Sequence, residues 1–119
     1  MKTLQQVLAE VNRADVFFGI EVTSVDTARF DGEIALHIVA KWGDTEAIRV
    51  LIANGACIDK RGEDDNTPLH YAAMLGKLDA VKCLLEMGAR NLKDRYGNTA
   101  SALAENHRKV HSFLIEHGF

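Results

Sequence analysis

Asn66-Thr67-Pro68-Leu69-His70-Tyr71-Ala72-Ala73 has the chemistry of a helix start. Thr67 suits the N-cap, where its hydroxyl meets an orphan backbone N–H. Pro68 suits the first helical position, which needs no N–H and favours a fixed φ. A short helix is predicted through Met74, ending near Gly76, which reaches the left-handed region without a Cβ penalty. Leu78, Val81, Leu84 and Leu85 then share one face of a second helix that stops at Gly88. Ala72 and Ala73 are small enough to let the two helices approach closely.

The same pattern occurs one period earlier. Leu36-His37 precedes Leu69-His70 by 33 residues, and Gly43-Asp44 precedes Gly76-Lys77 by the same interval. Asn54-Gly55-Ala56 and Met87-Gly88-Ala89 are also 33 apart, while Ile48, Leu51 and Ile52 map onto Val81, Leu84 and Leu85. A constant offset across a whole unit indicates stacked modules, because neither helix of one pair can bury its face alone.

These residues resemble the ankyrin repeat: Thr-Pro-Leu-His-x-Ala-Ala, a 33-residue period and a closing Gly-Ala. The unit at 62–93 matches closely, with Asp65 where the family usually has glycine. The unit at 29–61 keeps Leu-His but replaces Thr-Pro with Ile34-Ala35. The unit at 94–119 keeps Tyr96-Gly97-Asn98-Thr99-Ala100 and then departs, with Ser101-Ala102 in place of Leu-His. The resemblance implies an all-α solenoid of about three helix–turn–helix units, forming a single domain over 1–119. Residues 1–28 read as an N-terminal cap. It comprises an amphipathic helix bearing Leu4, Val7, Leu8 and Val11, then an extended or partly strand-like lead-in over 16–27. The last unit reads as a degenerate C-terminal cap, apolar at Val110, Phe113, Leu114 and Ile115. Its small size and divergent caps suggest a bacterial protein.

Composition agrees with a folded, soluble chain. Of 119 residues, 47 % are hydrophobic and 26 % charged, too apolar and too mixed in charge for disorder. The net charge of −3 argues against a nucleic-acid partner. No apolar run approaches the roughly 20 residues of a membrane span, and no signal-peptide core follows Met1. Two cysteines make no disulfide framework, which points to the cytoplasm.

No pattern points to catalysis, a metal or a cofactor. His37 and His70 occupy the family's structural histidine position, which implies hydrogen bonds across the turn and toward the next unit. His107 and His111 lie at i, i+4, but Arg108 and Lys109 flank them and no glutamate supplies a general base. Cys83 falls on an apolar helix face and Cys57 in an inter-repeat turn, without Cys-x-x-Cys spacing. Glu63-Asp64-Asp65 reads as a solvated loop or as a docking surface for a basic partner.

What remains is a binding surface. The family binds proteins mainly through turn tips and the first helix of each unit. That implies partner-binding positions at Phe30, Asp31, Glu33, Lys41 and Trp42 in the first unit. In the second they are Arg61, Glu63, Asp64, Met74 and Leu75, and in the third Arg95 and Tyr96. Trp, Tyr, Met and Arg are the residue types enriched in interface cores. Alternatives stay open: Trp42 packing on Phe17 or Phe18, Leu75 in the intra-repeat core, Phe30 and Tyr96 partly buried. The function this implies is non-catalytic binding of one folded protein by a chain that is monomeric when free. An inhibitor or immunity protein neutralising a basic toxin is the sharper form, and a scaffold acting through self-association the alternative.

Overall fold

The computed structural model describes residues 2–119. Helix α1 spans Leu4–Arg13, α2 Ala35–Trp42, α3 Thr45–Ala53, α4 Pro68–Met74, α5 Leu78–Glu86, α6 Ala100–Leu103 and α7 Arg108–Glu116. Among the described residues there is no strand. The helices form two layers. An inner row runs α2–α4–α6, and an outer row α1–α3–α5–α7 packs behind it. The radius of gyration, 13.4 Å, equals the ~13.5 Å of a compact chain of this length, so three units are too few to make an elongated rod.

Each unit begins with the same closed turn. Arg29 N–H donates to Glu33 O at 2.8 Å, Gly62 N–H to Asn66 O at 2.8 Å and Asp94 N–H to Asn98 O at 2.9 Å. Caps follow. Thr67 Oγ1 accepts from His70 N–H, and Thr99 Oγ1 accepts from Ala102 N–H at 3.3 Å. At the first unit Ile34 has no hydroxyl and gives α2 no side-chain cap; His37 Nδ1 accepts Ile34 N–H at 3.1 Å, just as His70 Nδ1 accepts Thr67 N–H at 3.0 Å. Asp44 caps α3 by accepting Ala47 N–H at 3.0 Å, whereas its counterpart Lys77 gives α5 no side-chain cap.

The two buried histidines stitch units together. His37 Nε2 lies 2.8 Å from Lys60 O and 3.2 Å from Asn66 O, and His70 Nε2 lies 3.1 Å from Asn98 O. The carbonyls require an N–H at Nε2, so each ring is neutral with Nδ1 free to accept from its own turn. The last unit places Ala102 where His70 stands in the unit before it.

The core is a continuous apolar seam. It includes Val7 and Val11 of α1, Leu36, Ile48 and Leu51 of the first unit, Leu69, Val81 and Leu84 of the second, and Val110 and Leu114 of the last. Leu78, Leu85 and Phe113 are half-buried against it, while Ile115, placed on the apolar face by its spacing, is 55 % exposed. Cys83 is buried in α5 and Cys57 is exposed, both as free thiols.

The lead-in differs from the strand-like expectation. Turns at 14–19 and 25–26 flank an irregular stretch at 20–23, whose backbone is pinned by a side chain: Asn12 donates from Nδ2 to Val22 O at 3.0 Å and accepts Val22 N–H on Oδ1 at 2.7 Å. A strand needs a neighbouring strand to satisfy its backbone, and here one asparagine amide supplies that pairing. Phe17, Val22 and Val25 are buried by this route.

Candidate functional site

The turn tips and the inner helices place most of the proposed partner-binding residues at the surface. Phe30 is 87 % exposed, Tyr96 69 %, Leu75 46 % and Trp42 41 %. Such exposed apolar groups on adjacent elements mark interaction surfaces more often than isolated ones do. Trp42 and Leu75 occupy equivalent register positions, 33 residues apart, at the ends of the packed helices α2 and α4. Lys41 and Met74 form the neighbouring pair, both half-buried.

At the tips, Phe30, Asp31, Glu63, Asp64 and Arg95 line one cleft of about 610 Å³. Glu63 is exposed and Asp64 half-buried. Asp64 lies 3.8 Å from the Arg95 guanidinium, accepts from the Tyr96 hydroxyl at 3.3 Å, and takes Arg95 N–H on its backbone oxygen at 2.9 Å. Arg61 is committed to the frame: its Nη1 donates to Asp65 O at 2.8 Å and Lys93 O at 2.6 Å, tying consecutive tips.

Glu33 departs from the expected partner-binding surface. Its register puts it beside Asp31 at the tip, but the side chain turns inward and has no exposed surface (0 %). Tyr71 Oη donates to Glu33 Oε2, Lys41 Nζ lies 3.0 Å from Oε1, and Arg29 Nη2 lies 3.1 Å from the same oxygen. Arg29 also holds Asp31 at 2.5 Å and donates to Val16 O at 2.9 Å, joining the lead-in to the first unit. Lys41 sits 4.2 Å over the Tyr71 ring.

The electrostatics follow from these partners. Burial pushes the Glu33 carboxyl up, yet the Tyr71 hydroxyl and Lys41 ammonium outweigh it and hold it below the usual carboxylate range. Burial, then the bond to Glu33, pushes the Tyr71 phenol far above its ordinary value. Burial lowers both His37 and His70. Asn66 stands where Glu33 stands one unit earlier, and its buried Oδ1 has no hydrogen-bond partner among the described residues.

No catalytic constellation forms from these groups. Asp31, Glu33 and Glu63 bring carboxylate oxygens within 4.8 Å of one another, but Arg29 and Lys41 already face two of the three. The C-terminal imidazoles are dispersed onto backbone carbonyls: His111 Nδ1 donates to Ser101 O at 2.9 Å and His117 Nδ1 to Phe113 O at 2.8 Å. His107 packs against Gly76, where an added Cβ would come within 2.4 Å of its Nδ1.

Phe18 is absent from the sequence-derived surface. It is 72 % exposed, its ring centroid lies 6.3 Å from that of Phe30, and the Arg29 guanidinium stands 5.4 Å over it. The signal was the Phe17-Phe18 pair in the lead-in, a stretch whose missing periodicity does not say which ring turns out.

A family model described as "Ankyrin repeats (3 copies)" matches residues 4–93 and 59–119. The chain belongs to the ankyrin repeat family. Ankyrin repeats are a non-catalytic fold that mediates protein–protein interaction, and the turn tips and inner helices described above are its turn tips and first helices. Similar proteins include a Caenorhabditis elegans homolog of transient receptor potential cation channel subfamily A member 1, 38 % identical over 100 residues, covering 81 % of this chain and 8 % of that protein. Serine/threonine-protein kinase VIK of Arabidopsis thaliana is 44 % identical over 83 residues, 66 % of this chain and 19 % of the kinase. Protein phosphatase 1 regulatory subunit 27 of Mus musculus is 36 % identical over 73 residues, 61 % of this chain and 47 % of that subunit. This ankyrin chain thus spans less than a fifth of the first two. All three are eukaryotic, and a bacterial source finds no support in them.

Proposed function

We propose that this ankyrin repeat chain binds one folded protein partner through its inner-helix face and turn tips. The observation that carries the reading is the surface itself: Phe30, Trp42, Leu75 and Tyr96 are exposed on adjacent tips and helices of a stack whose core is complete without them. A rigid stack presents these side chains already ordered, so little conformational entropy is lost on binding. Glu63 and Asp65 are exposed beside them, which favours a basic partner and association that slows with salt. The free chain acts as a monomer in this account. Its free thiols, Cys57 and Cys83, suit a reducing compartment such as the cytoplasm.

The role we assign within this reading is inhibition by occlusion of the partner's working surface, a toxin being one candidate target. The mouse phosphatase relative, named as a regulatory subunit, provides a parallel for acting on another protein's activity. The test is paired affinity capture from the source organism, with wild type and the Trp42→Ala/Met74→Ala variant as baits. The purified partner's activity is then assayed with each. Capture by wild type alone, with loss of partner activity, supports inhibition. Capture without any change in activity sinks inhibition and keeps binding. Equal capture by both baits sinks the assigned face. A mass that rises with concentration at tens of micromolar, with no partner captured, favours the self-association alternative.

A further inference from the structure

The tip cleft has one aromatic wall and one acidic wall, and the geometry points to an arginine side chain of the partner as its occupant. This rests on the reading above and names the chemistry by which one part of that surface holds on.

The aromatic wall is Phe18 and Phe30, 72 % and 87 % exposed, with ring centroids 6.3 Å apart. Phe18 is held outward by a left-handed backbone, φ +51°, and one face of its ring is already covered by Arg29. Phe30 has no cation over it among the described residues. The acidic wall is Glu63, Asp64 and Asp65, which belong to the next tip. Phe30 and Glu63 occupy the same register position in consecutive units and line the same cleft, so they stand as neighbouring rungs. A guanidinium lying on Phe30 can reach Glu63 across that cleft.

The charges leave a vacancy for one cation. Three carboxylate groups, Asp31, Glu33 and Glu63, place oxygens within 4.8 Å of one another. Arg29 neutralises Asp31 and shares Glu33 with Lys41, and Arg95, the other cation lining the cleft, faces Asp64 at 3.8 Å. Glu63 has no ion pair among the described residues, and neither has Asp65. A divalent metal ion fits poorly, because the Arg29 guanidinium lies 2.5 Å from Asp31 and 3.1 Å from Glu33. An organic cation entering from the Phe30 side meets Glu63 without displacing Arg29. The molecule already uses the same recognition internally, where Lys41 rests on the Tyr71 ring while bonding Glu33. Arginine suits the open site better than lysine, since its plane stacks on a ring while its edge donates two parallel hydrogen bonds to a carboxylate.

The test is an amide NMR titration of the ¹⁵N-labelled chain with the capped peptide Ac-Gly-Arg-Gly-NH2. Its lysine and citrulline counterparts and calcium chloride are run in parallel. The expected result is a saturable shift confined to residues 16–19, 29–32 and 62–65 with the arginine peptide. Lysine should bind roughly threefold more weakly, the neutral citrulline peptide should give no shift, and Phe30→Ala or Glu63→Gln should weaken binding about fivefold or more. Phe30 and Glu63 are exposed, so unchanged spectra elsewhere verify that the variants fold. Equal shifts from citrulline overturn the proposal, and so does calcium saturating the same amides in place of the peptide. Shifts confined to Trp42–Gly43 and Met74–Gly76 remove the anchor while leaving the inner-helix reading intact. No shift anywhere removes the anchor too, and the capture experiment then decides the broader reading separately.

Discussion

The hydroxyl of Tyr71, on α4, donates to the carboxylate of Glu33, which closes the first turn, so one hydrogen bond joins two units through a fully buried charge. Removing one partner of a buried charged pair leaves the other unsatisfied. Tyr71→Phe should therefore cost about 1.5–3 kcal/mol, and Glu33→Ala about 3–5 kcal/mol because Arg29 and Lys41 lose their shared acceptor. Urea denaturation of both single variants and the double variant measures this. Changes under about 0.5 kcal/mol for Tyr71→Phe contradict it.

Asp65 takes the place that Gly32 and Gly97 hold in the other units, and all three backbones are left-handed, with φ of +60°, +88° and +82°. A side chain in that region is strained by about 1 kcal/mol, less for aspartate than for most residues. Asp65→Gly should stabilise the chain by up to ~1 kcal/mol. Gly32→Ala should destabilise it, since the added Cβ would come within 2.9 Å of Arg61 O. The two midpoints, read side by side, moving the same way would refute the assignment of strain.

Comparison of units also locates a missing cap. Asp44 caps α3, and Lys77 at the same register leaves α5 without one although its backbone, φ −85° and ψ 78°, is close to that of Asp44, −81° and 92°. Lys77→Asp should add roughly 0.5–1.5 kcal/mol, seen as a higher thermal midpoint. An unchanged or lower midpoint rejects it.

Acid should weaken the fold in two stages. His37 and His70 are held below the ordinary histidine value by burial, and protonating Nδ1 breaks the bond from Ile34 or Thr67 N–H. The unfolded chain therefore takes up protons first as pH falls. Stability is complete above the unfolded histidine value of about 6.5 and declines below it, by at most ~2.7 kcal/mol per pH unit for two groups. A second loss follows as pH falls through the depressed values of Asp31, Glu33 and Asp44, where burial is outweighed by their cationic and hydrogen-bonding partners. Urea midpoints between pH 7.5 and 5 that stay flat contradict the histidine stage.

The core carries the stack. Leu69→Ala or Leu84→Ala, each at a position 2 % exposed or less, should cost roughly 2–5 kcal/mol. Equilibrium unfolding that reports less than about 1 kcal/mol for either contradicts the packing described.

The repeat was legible because local chemistry and spacing agree. Leu-His recurs at 33 residues, Gly43 and Gly76 end equivalent helices, and both histidines are buried as their position implies. Phe30, Trp42, Leu75 and Tyr96 were legible as candidate surface positions, but their exposure was not, because spacing alone also allows Trp42 on the lead-in, Leu75 in the core and Phe30 and Tyr96 half-buried. Glu33 was not, because its fate depends on Tyr71, 38 residues away, and on Arg29 and Lys41 converging on one carboxylate. Spacing encodes which face a residue is on, not which charges meet behind it. The lead-in was opaque for a related reason: Asn12 fixes Val22 by side-chain bonds, and an aperiodic segment does not reveal that Phe17 turns in while Phe18 turns out.

The inner-helix face is proposed to meet the partner. Site-specific photo-crosslinking tests it most directly, with a photoreactive phenylalanine placed at Trp42 or Leu75 on the inner face, and at Arg49 or Glu86 on the outer layer. Arg49 and Glu86 are exposed and paired across α3 and α5 at 3.0 Å. One partner protein should be crosslinked from Trp42 and Leu75 and not from Arg49 or Glu86. Crosslinking of that protein from the outer positions, with none from the inner ones, would contradict it.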